Sequence, residues 1–471
     1  VSTAPTRNPV YTREVRRLLI AGAIGTTVEW FDFFLYGTMS ALVFNKLFFP
    51  NLDPSAGTLA SFGTFAGGFV TRPLGGLVMG HFGDRIGRKA TLVFSLGLMG
   101  FATLAIGCLP TYASIGLAAP ILLTAARVLQ GFALGGEWGG AATLIFEHAP
   151  ENRRGRFGVW VQWGTLGGIL LSTTTILILS EKLSNRQFLG WGWRIPFLIS
   201  ALLLAVGLWV RLRIAESPVF QELVDKQEQA RVPALAAIKG HAWTIVRVTG
   251  MHLAVTTLAF VSTAFILAYG ITKVGHSRTE MLQIVDVSVL IVMVVTPFFG
   301  RAVDRVGRKP VYVLGAFAAV VLAFPSFAAL NSGTFIGGVG AICGLIIPSM
   351  CMYTTQGAWF PELFPTAVRV TAAGVGVQLA TTALGGPAPT IAQALIRQSH
   401  GHSWSVALYV AGVCFCSMIF ALLTPETHPR RARAQRWSGR STVGSASGSA
   451  ATFGSGVCAP SDPAPGSESS G

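Results

Sequence analysis

Charge is what this sequence has least of: Asp, Glu, Lys and Arg make up 12% of its 471 residues, about half the roughly 25% of an ordinary soluble protein. A soluble core of that composition would lack the polar surface to cover it, which excludes a soluble enzyme. Acidic residues are the scarcer sign, 20 against 35 Lys plus Arg, for a formal charge of +15. Cysteine is sparse as well. Cys108, Cys343, Cys351, Cys414, Cys416 and Cys458 mostly sit within apolar runs and lack zinc-type spacing, so they imply neither a disulfide framework nor a metal site. There is no G-x-x-x-x-G-K-[S/T] phosphate loop, which excludes an ATP-driven pump, and no nucleophile and base constellation that would support an enzyme. The run after Arg7, Arg13, Arg16 and Arg17 is too long for the apolar region of a secretory leader and contains Glu29 and Asp32, so it reads as a first span.

Apolar residues are abundant. At 51% hydrophobic, the chain can supply about twelve membrane spans of about 20 residues each. Hydropathy places them near 18–44, 58–82, 90–109, 116–146, 157–179, 193–212, 243–272, 280–300, 310–330, 334–360, 370–396 and 403–424. An even number of spans puts both termini on one side, and 25 of the 35 Lys plus Arg fall in the loops of that side. By the positive-inside rule that side is cytoplasmic. The basic excess is then topological, and no nucleic-acid partner is expected. Arg outnumbers Lys 28 to 7 amid plentiful Ala and Gly, which points to a GC-rich bacterial source and its inner, plasma membrane.

The segment 213–242 is the longest internal polar stretch, and it divides the spans six and six. Two charge motifs then recur in register. Residues 80–89 and 300–309 share G-x-x-x-D-R-x-G-R-K after the second span of each half, 220 residues apart; Glu147-x6-Arg154 and Glu362-x6-Arg369 follow the fourth span of each half. Such repetition indicates a tandem duplication of a six-helix unit with parallel halves. The expected organisation is a cytoplasmic N-terminus (1–17), a first bundle (18–212), a cytoplasmic linker (213–242), a second bundle (243–424) and a cytoplasmic tail (425–471). Residues 438–471 hold 10 Ser and 7 Gly among 34 residues, a composition expected to be disordered.

These paired loops and the six-plus-six layout resemble the major facilitator superfamily over about 15–425. Three stretches narrow the resemblance to the metabolite-proton symporters, whose bacterial members take up shikimate, 2-oxoglutarate, citrate, proline and betaine. They are Gly25-Thr-Thr-Val-Glu-Trp-Phe-Asp-Phe-Phe-Leu-Tyr-Gly37, Arg72-Pro-Leu-Gly-Gly76, and Arg127-Val-Leu-Gln-Gly131 with Gly135-Gly-Glu-Trp-Gly-Gly140. The resemblance implies an all-α polytopic fold of twelve transmembrane helices in two pseudo-symmetric six-helix bundles. It implies a proton-coupled importer of a small hydrophilic metabolite, an organic acid or a zwitterion, working by alternating access as a monomer. The coupling ion is the proton, the surroundings are the lipid bilayer, and no other cofactor or metal is expected. A uniporter or exporter of the same fold, or a non-transporting sensor, remains the alternative.

The loop motif has its own physical account. Asp84 can accept from Arg88 or face the positive end of a neighbouring helix, while Gly80 and Gly87 allow close approach and turning. Gly80, Asp84, Arg85, Gly87 and Arg88, with Gly300, Asp304, Arg305, Gly307 and Arg308, are the candidates for a cytoplasmic gate, together with Glu147, Arg154, Glu362 and Arg369.

Charges at bilayer depth are costly unless paired or wet, which makes them functional candidates. Glu29, Asp32 and Tyr36 share one face of span 1, and Arg127, Gln130 and Glu137 share one face of span 4. Asp32 lies about 22 Å and Arg127 about 16 Å along their helices, both near mid-membrane, where they can pair. The resemblance makes Asp32 the protonatable group, Arg127 its modulator and Glu29 a rival proton site. A substrate anion that draws Arg127 away would let the Asp32 carboxylate load a proton. Arg72, about 21 Å along span 2, can neutralise Glu29 or Glu137, attract an anion, or brace helices. Tyr36, Arg72, Gln130, Glu137, Gln162, Tyr353, Gln356 and Gln378 are the substrate-cavity candidates; His252 is placed at the membrane interface and Asp286 near periplasmic water. The Gly and Pro cluster of 374–389 predicts a bend in span 11.

Overall fold

The structure is a computed structural model, and it describes residues 13–76, 78–79, 88–135, 153–213, 233–365 and 369–428. Every regular element among the described residues is helical. Twelve helices follow the hydropathy: α1 (Arg13–Met39), α2 (Pro54–Val70), α3 (Arg88–Cys108), α4 (Ala118–Leu134), α5 (Arg154–Lys182) and α6 (Ile195–Arg213) in the first half. In the second are α7 (Pro233–Phe260), α8 (Arg278–Val306), α9 (Arg308–Asn331), α10 (Phe335–Glu362), α11 (Arg369–Ala380, resumed over Ala388–Gln398) and α12 (Trp404–Leu422). By length and composition alone, six of them are long and apolar enough to cross a membrane: α5, α7 with its continuation to Val274, α8, α9, α10 and α12. The face holding the α8–α9 loop and the start of α1 is called the basic face below.

Local chemistry sets the helix ends. Asp53 caps α2 by accepting from the backbone N–H of Ser55 and Ala56 at 3.1 and 3.0 Å, with Pro54 in the first turn, where its missing N–H costs nothing. Ser277 and Thr334 cap α8 and α10 in the same way. Acidification should therefore act on Asp53: its hydrogen bond from Ala56, with a contribution from Arg397, holds its carboxyl below the usual carboxylate range.

Several spans differ from the hydropathy reading. α1 begins at Arg13, and α7 begins at Pro233, inside the stretch assigned to the linker, then kinks at His241, whose φ of −135° and ψ of 23° are not helical. The bend in span 11 is a π-helical segment, Thr381–Gly385. Two related π segments, Ser40–Phe44 and Val261–Phe265, continue α1 and α7 at matching places in the two halves. The wider turn of a π segment shifts the register of the side chains beyond it.

α2 and α4 cross in close contact. A Cβ on Gly131 would overlap the carbonyl of Gly68 and come within 2.9 Å of Thr71 Oγ1, so only hydrogen fits there. The halves meet through α5 against α8 and α10, and through α2 against α11. At the basic face Gly155 and Gly300 form a second close approach: a Cβ on Gly155 would sit 2.6 Å from the Gly300 carbonyl.

Candidate functional site

Asp32 lies on α1 with no exposed surface. Three donors converge on its carboxylate: Thr103 Oγ1 of α3 at 3.0 Å, Gln130 Nε2 of α4 at 2.9 Å and Ser200 Oγ of α6 at 3.1 Å. Four helices of the first half thus meet at one carboxylate. The direct Asp32–Arg127 pair expected from sequence is not formed. Gln130 lies between them, its Oε1 accepting from Arg127 Nη1 at 3.1 Å while its Nε2 donates to Asp32. Arg127 is 1% exposed and stacks over Phe33, Tyr36 and Phe65 at 4.6, 4.3 and 5.1 Å from the ring centroids. Its Nε and Nη2 have no hydrogen-bond partner among the described residues. Aromatic faces compensate a buried guanidinium in part.

A separate cavity of about 60 Å³ lies between the halves, narrow beside the roughly 300–1,000 Å³ of sites that enclose a drug-sized ligand. From the first half it is lined by Glu29, Phe33, Phe34 and Arg72, and from the second by His252, Tyr353 and Gln378, among mostly apolar neighbours. Arg72 is 8% exposed and sandwiched between Phe33 and Phe69, 4.6 and 4.4 Å from their centroids. Glu29 supplies a favourable charge interaction with it, and Arg72 Nε has no hydrogen-bond partner among the described residues.

The cavity candidates named from sequence therefore separate. Arg72, Tyr353 and Gln378 line it, as does Glu29, whereas Tyr36, Gln130, Gln162 and Gln356 do not. Tyr36 is held beneath Arg127 and donates to Thr64 Oγ1 at 2.9 Å; Gln130 is turned to Asp32; Gln162 is buried on α5. Gln356 is engaged by His252. His252, expected at the interface, is 6% exposed and faces the cavity, packed beside Gln356 and Tyr353 of α10. Glu137 lies outside the described residues.

Asp286 is likewise not left to water: it is 8% exposed and accepts from Thr173 and from Thr174 Oγ1, the latter at 2.9 Å, tying α8 to α5 toward the opposite face. Nothing in the hydropathy of α5 marks these two threonines as partners.

At the basic face, Glu362 gathers Arg154 of the first half at 3.0 Å, Arg308 through Nε and Nη2 at 3.2 and 3.0 Å, and the Thr427 hydroxyl. Asp304 faces the start of α5, accepting from the N–H of Gly155 at 2.7 Å and of Arg156 at 3.2 Å, with Arg156 Nε 3.7 Å away. This is the helix-end position that the loop motif suggested for an aspartate, seen in the second copy. Gly307 turns the chain into α9 at a φ of 115°, and Arg305 is exposed. Gly80, Asp84, Arg85, Gly87 and Glu147 lie outside the described residues, as do the side chains of Arg88 and Arg369. Sequence reasoning missed Arg156, Thr427 and Glu426; Glu426 caps α9 through the N–H of Arg308 and Lys309 at 3.2 and 3.1 Å.

Comparison with known proteins agrees with this architecture. The chain is 40% identical over 430 residues to the shikimate transporter of Escherichia coli, covering 91% of this chain and 98% of that protein. It is 31% identical over 426 residues to the proline/betaine transporter of Salmonella typhimurium, covering 88% and 85%. Among solved structures, the E. coli xylose transporter in a partially occluded inward-open conformation superposes with a TM-score of 0.70 at 17% identity, over 88% of this chain and 99% of that one. These relatives are transporters and not enzymes. The family model for sugar (and other) transporters matches residues 18–246 and 242–436. With both halves matched, the chain belongs to the sugar (and other) transporter family of the major facilitator superfamily, as a multi-pass plasma-membrane protein.

Proposed function

We propose that this transporter is a proton symporter that takes up a small organic acid or zwitterion by alternating access of its two halves, as a monomer with both termini cytoplasmic and no cofactor besides the coupling proton. One observation carries the reading: the buried Asp32 carboxylate is wired through Gln130 to Arg127, which stacks on Phe33, the same ring that Arg72 of the cavity stacks on. A uniporter has no use for a buried titratable carboxylate at that depth. Three donors hold the Asp32 carboxylate, and a rearrangement that turns Gln130 away would remove one donor and the link to Arg127 together.

Arg72 is the anchor for a substrate anion, with Glu29 as the charge it exchanges for the ligand. The latch of Glu362, Arg154, Asp304 and Arg308 holds the halves together at the basic face in this conformation. The names of the relatives, a shikimate transporter and a proline/betaine transporter, support an acid or zwitterion without deciding between them.

The test uses the purified protein in liposomes. Accumulation against a gradient should require an inward proton gradient, and Asp32→Asn should abolish accumulation while leaving counterflow exchange. Unchanged gradient-driven uptake by Asp32→Asn removes Asp32 from the mechanism.

A further inference from the structure

The carbonyl of Phe69 lies one helical turn before Pro73, and a proline has no N–H to return to the residue four positions earlier. α2 accordingly ends at Val70, where the N–H of Thr71 turns back to the Phe69 carbonyl, and Arg72 follows directly. A carbonyl oxygen has two lone pairs, and a second donor comes from the other half of the molecule. Thr382 Oγ1, in the π segment of α11, donates to it at 2.8 Å. The neighbouring hydroxyl takes the usual course of a helical threonine: Thr381 donates to the Val377 carbonyl of its own helix at 2.7 Å.

The same stretch of α11 presses on the Phe69 ring. A Cβ on Gly386 would overlap that ring, as one on Gly385 would overlap Thr256 of α7, so the two glycines wedge α11 between its own half and α2. Phe69 is fully buried, and its ring is one wall of the sandwich around the Arg72 guanidinium. Phe33, the other wall, stands on α1 of the first half. Arg72 thus has one wall fixed within its own half and one whose backbone and ring are held from the second. Thr382 acts at a remove: among the described residues the cavity is lined by Thr381 and not by Thr382.

We propose that Thr382 is a positioning residue for Arg72: it ties the broken turn of α2 to α11, so that the clamp on the guanidinium is complete only while those helices are together. This rests on the reading of Arg72 as the anion anchor. The seam continues toward the opposite face, where Gln393 Nε2 donates to Ser55 Oγ at 3.3 Å and Arg397 lies 3.7 Å from Asp53. Opening there parts α2 from α11, breaks the Thr382 bond and withdraws Gly386 from the Phe69 ring. The guanidinium then exchanges an aromatic wall for an incoming anion. A wall lent by the other half gives the anchor different surroundings in the open and closed states, which is what a ligand needs in order to bias them.

The test follows the reaction of phenylglyoxal with individual arginines of the full chain in nanodiscs, read by peptide mass spectrometry. Thr382→Val keeps the side-chain volume and removes the donor, and Arg72 should then react about 2- to 10-fold faster than in wild type, the factor equivalent to one neutral hydrogen bond. Thr382→Ser keeps the donor and should leave Arg72 at the wild-type rate. Arg127, stacked on Phe33, Tyr36 and Phe65 of its own half, should react equally in all three proteins. Thr382→Ala repeats the measurement should the valine variant not fold. The inference is overturned if Arg72 keeps its wild-type rate in Thr382→Val, if serine speeds the reaction as much as valine, or if Arg127 speeds up in parallel, the mark of general loosening. The anchor reading fails separately: if neither shikimate nor proline, the compounds named for the relatives, slows modification of Arg72 in wild type, Arg72 is not the anchor, whatever the Thr382 variants show.

Discussion

Replacing Arg154 by Gln isolates the contribution of the latch between the halves. Glu362, 8% exposed at its side chain, pairs with Arg154, 19% exposed, at 3.0 Å across the two halves. Without the guanidinium, Glu362 keeps Arg308 at 3.2 and 3.0 Å and the Thr427 hydroxyl, so no buried carboxylate is stranded. The loss is then that of one charge-assisted hydrogen bond, about 1.5–3 kcal/mol when sheltered. Partial exposure of Arg154 reduces this to about 1–2 kcal/mol. Because the contact exists only while the basic face is closed, the whole loss falls on the closed state, and the open population should rise about 5- to 30-fold. Glu362→Gln is the poorer experiment: it leaves Arg308, 1% exposed, without its counter-charge and should cost folding as well as closure. The assay is double electron–electron resonance between spin labels at Ile24 of α1 and Arg301 of α8, both exposed, in nanodiscs. A longer-distance population should grow in Arg154→Gln. Identical distance distributions in wild type and variant would refute the latch, since the remaining Asp304 contacts at the start of α5 would then hold closure by themselves.

Two further outcomes follow from packing and capping. Gly131→Ala places a methyl group against the Gly68 carbonyl, forces α2 and α4 apart and should cost about 1–3 kcal/mol; a lowered Tm of the purified protein checks it, and an unchanged Tm would mean that the crossing is looser than described. Asp53, whose carboxyl is held low mainly by the Ala56 N–H, stabilises the first turn of α2 above the ordinary carboxylate range, and that contribution is lost as pH falls through its depressed folded value. Hydrogen exchange at Ser55 and Ala56, corrected for the intrinsic pH dependence, should therefore become less protected on acidification, and Asp53→Asn should flatten the response.

The fold was legible because its signals are additive over many residues. Twelve apolar runs and two copies of one loop motif survive errors at any single position, and the kink at His241 falls two residues before the window read for the seventh span. The site was legible in its ingredients and not in its connections. Asp32, Arg127 and Gln130 stand out as polar groups in apolar spans, yet the spacing on α1 and α4 cannot say that Gln130 intervenes between the two charges. Thr103 and Ser200 carry no signal at all: a hydroxyl in an apolar helix is most simply satisfied by its own backbone, as Thr103 also is through the Met99 carbonyl at 2.9 Å, and only tertiary packing brings it to Asp32. His252 was misplaced for a related reason. A histidine near the start of a hydropathy window reads as interfacial until packing shows what surrounds it, here Gln356 and Tyr353 of α10.

The duplicated architecture also explains why the two halves divide the chemistry. The loop motif repeats at an interval of 220 residues, and the same interval carries Asp32 of α1 onto His252 of α7. Each of these groups is hydrogen-bonded to a glutamine on the fourth helix of its own half, Gln130 at 2.9 Å and Gln356 at 2.7 Å. The two amides are used in opposite senses. Gln130 turns its N–H₂ to a carboxylate, whereas Gln356 turns its oxygen to the Nδ1–H of the His252 imidazole. The first arrangement sits among Thr103, Ser200 and Arg127, away from the cavity, where a proton can bind without competing with the ligand for the same atoms. The second lines the cavity. In each half a titratable residue is thus paired with a glutamine of the fourth helix, one away from the cavity and one lining it, and α1 joins the two regions, since Asp32 stands in sequence between the cavity-lining Glu29 and Phe33.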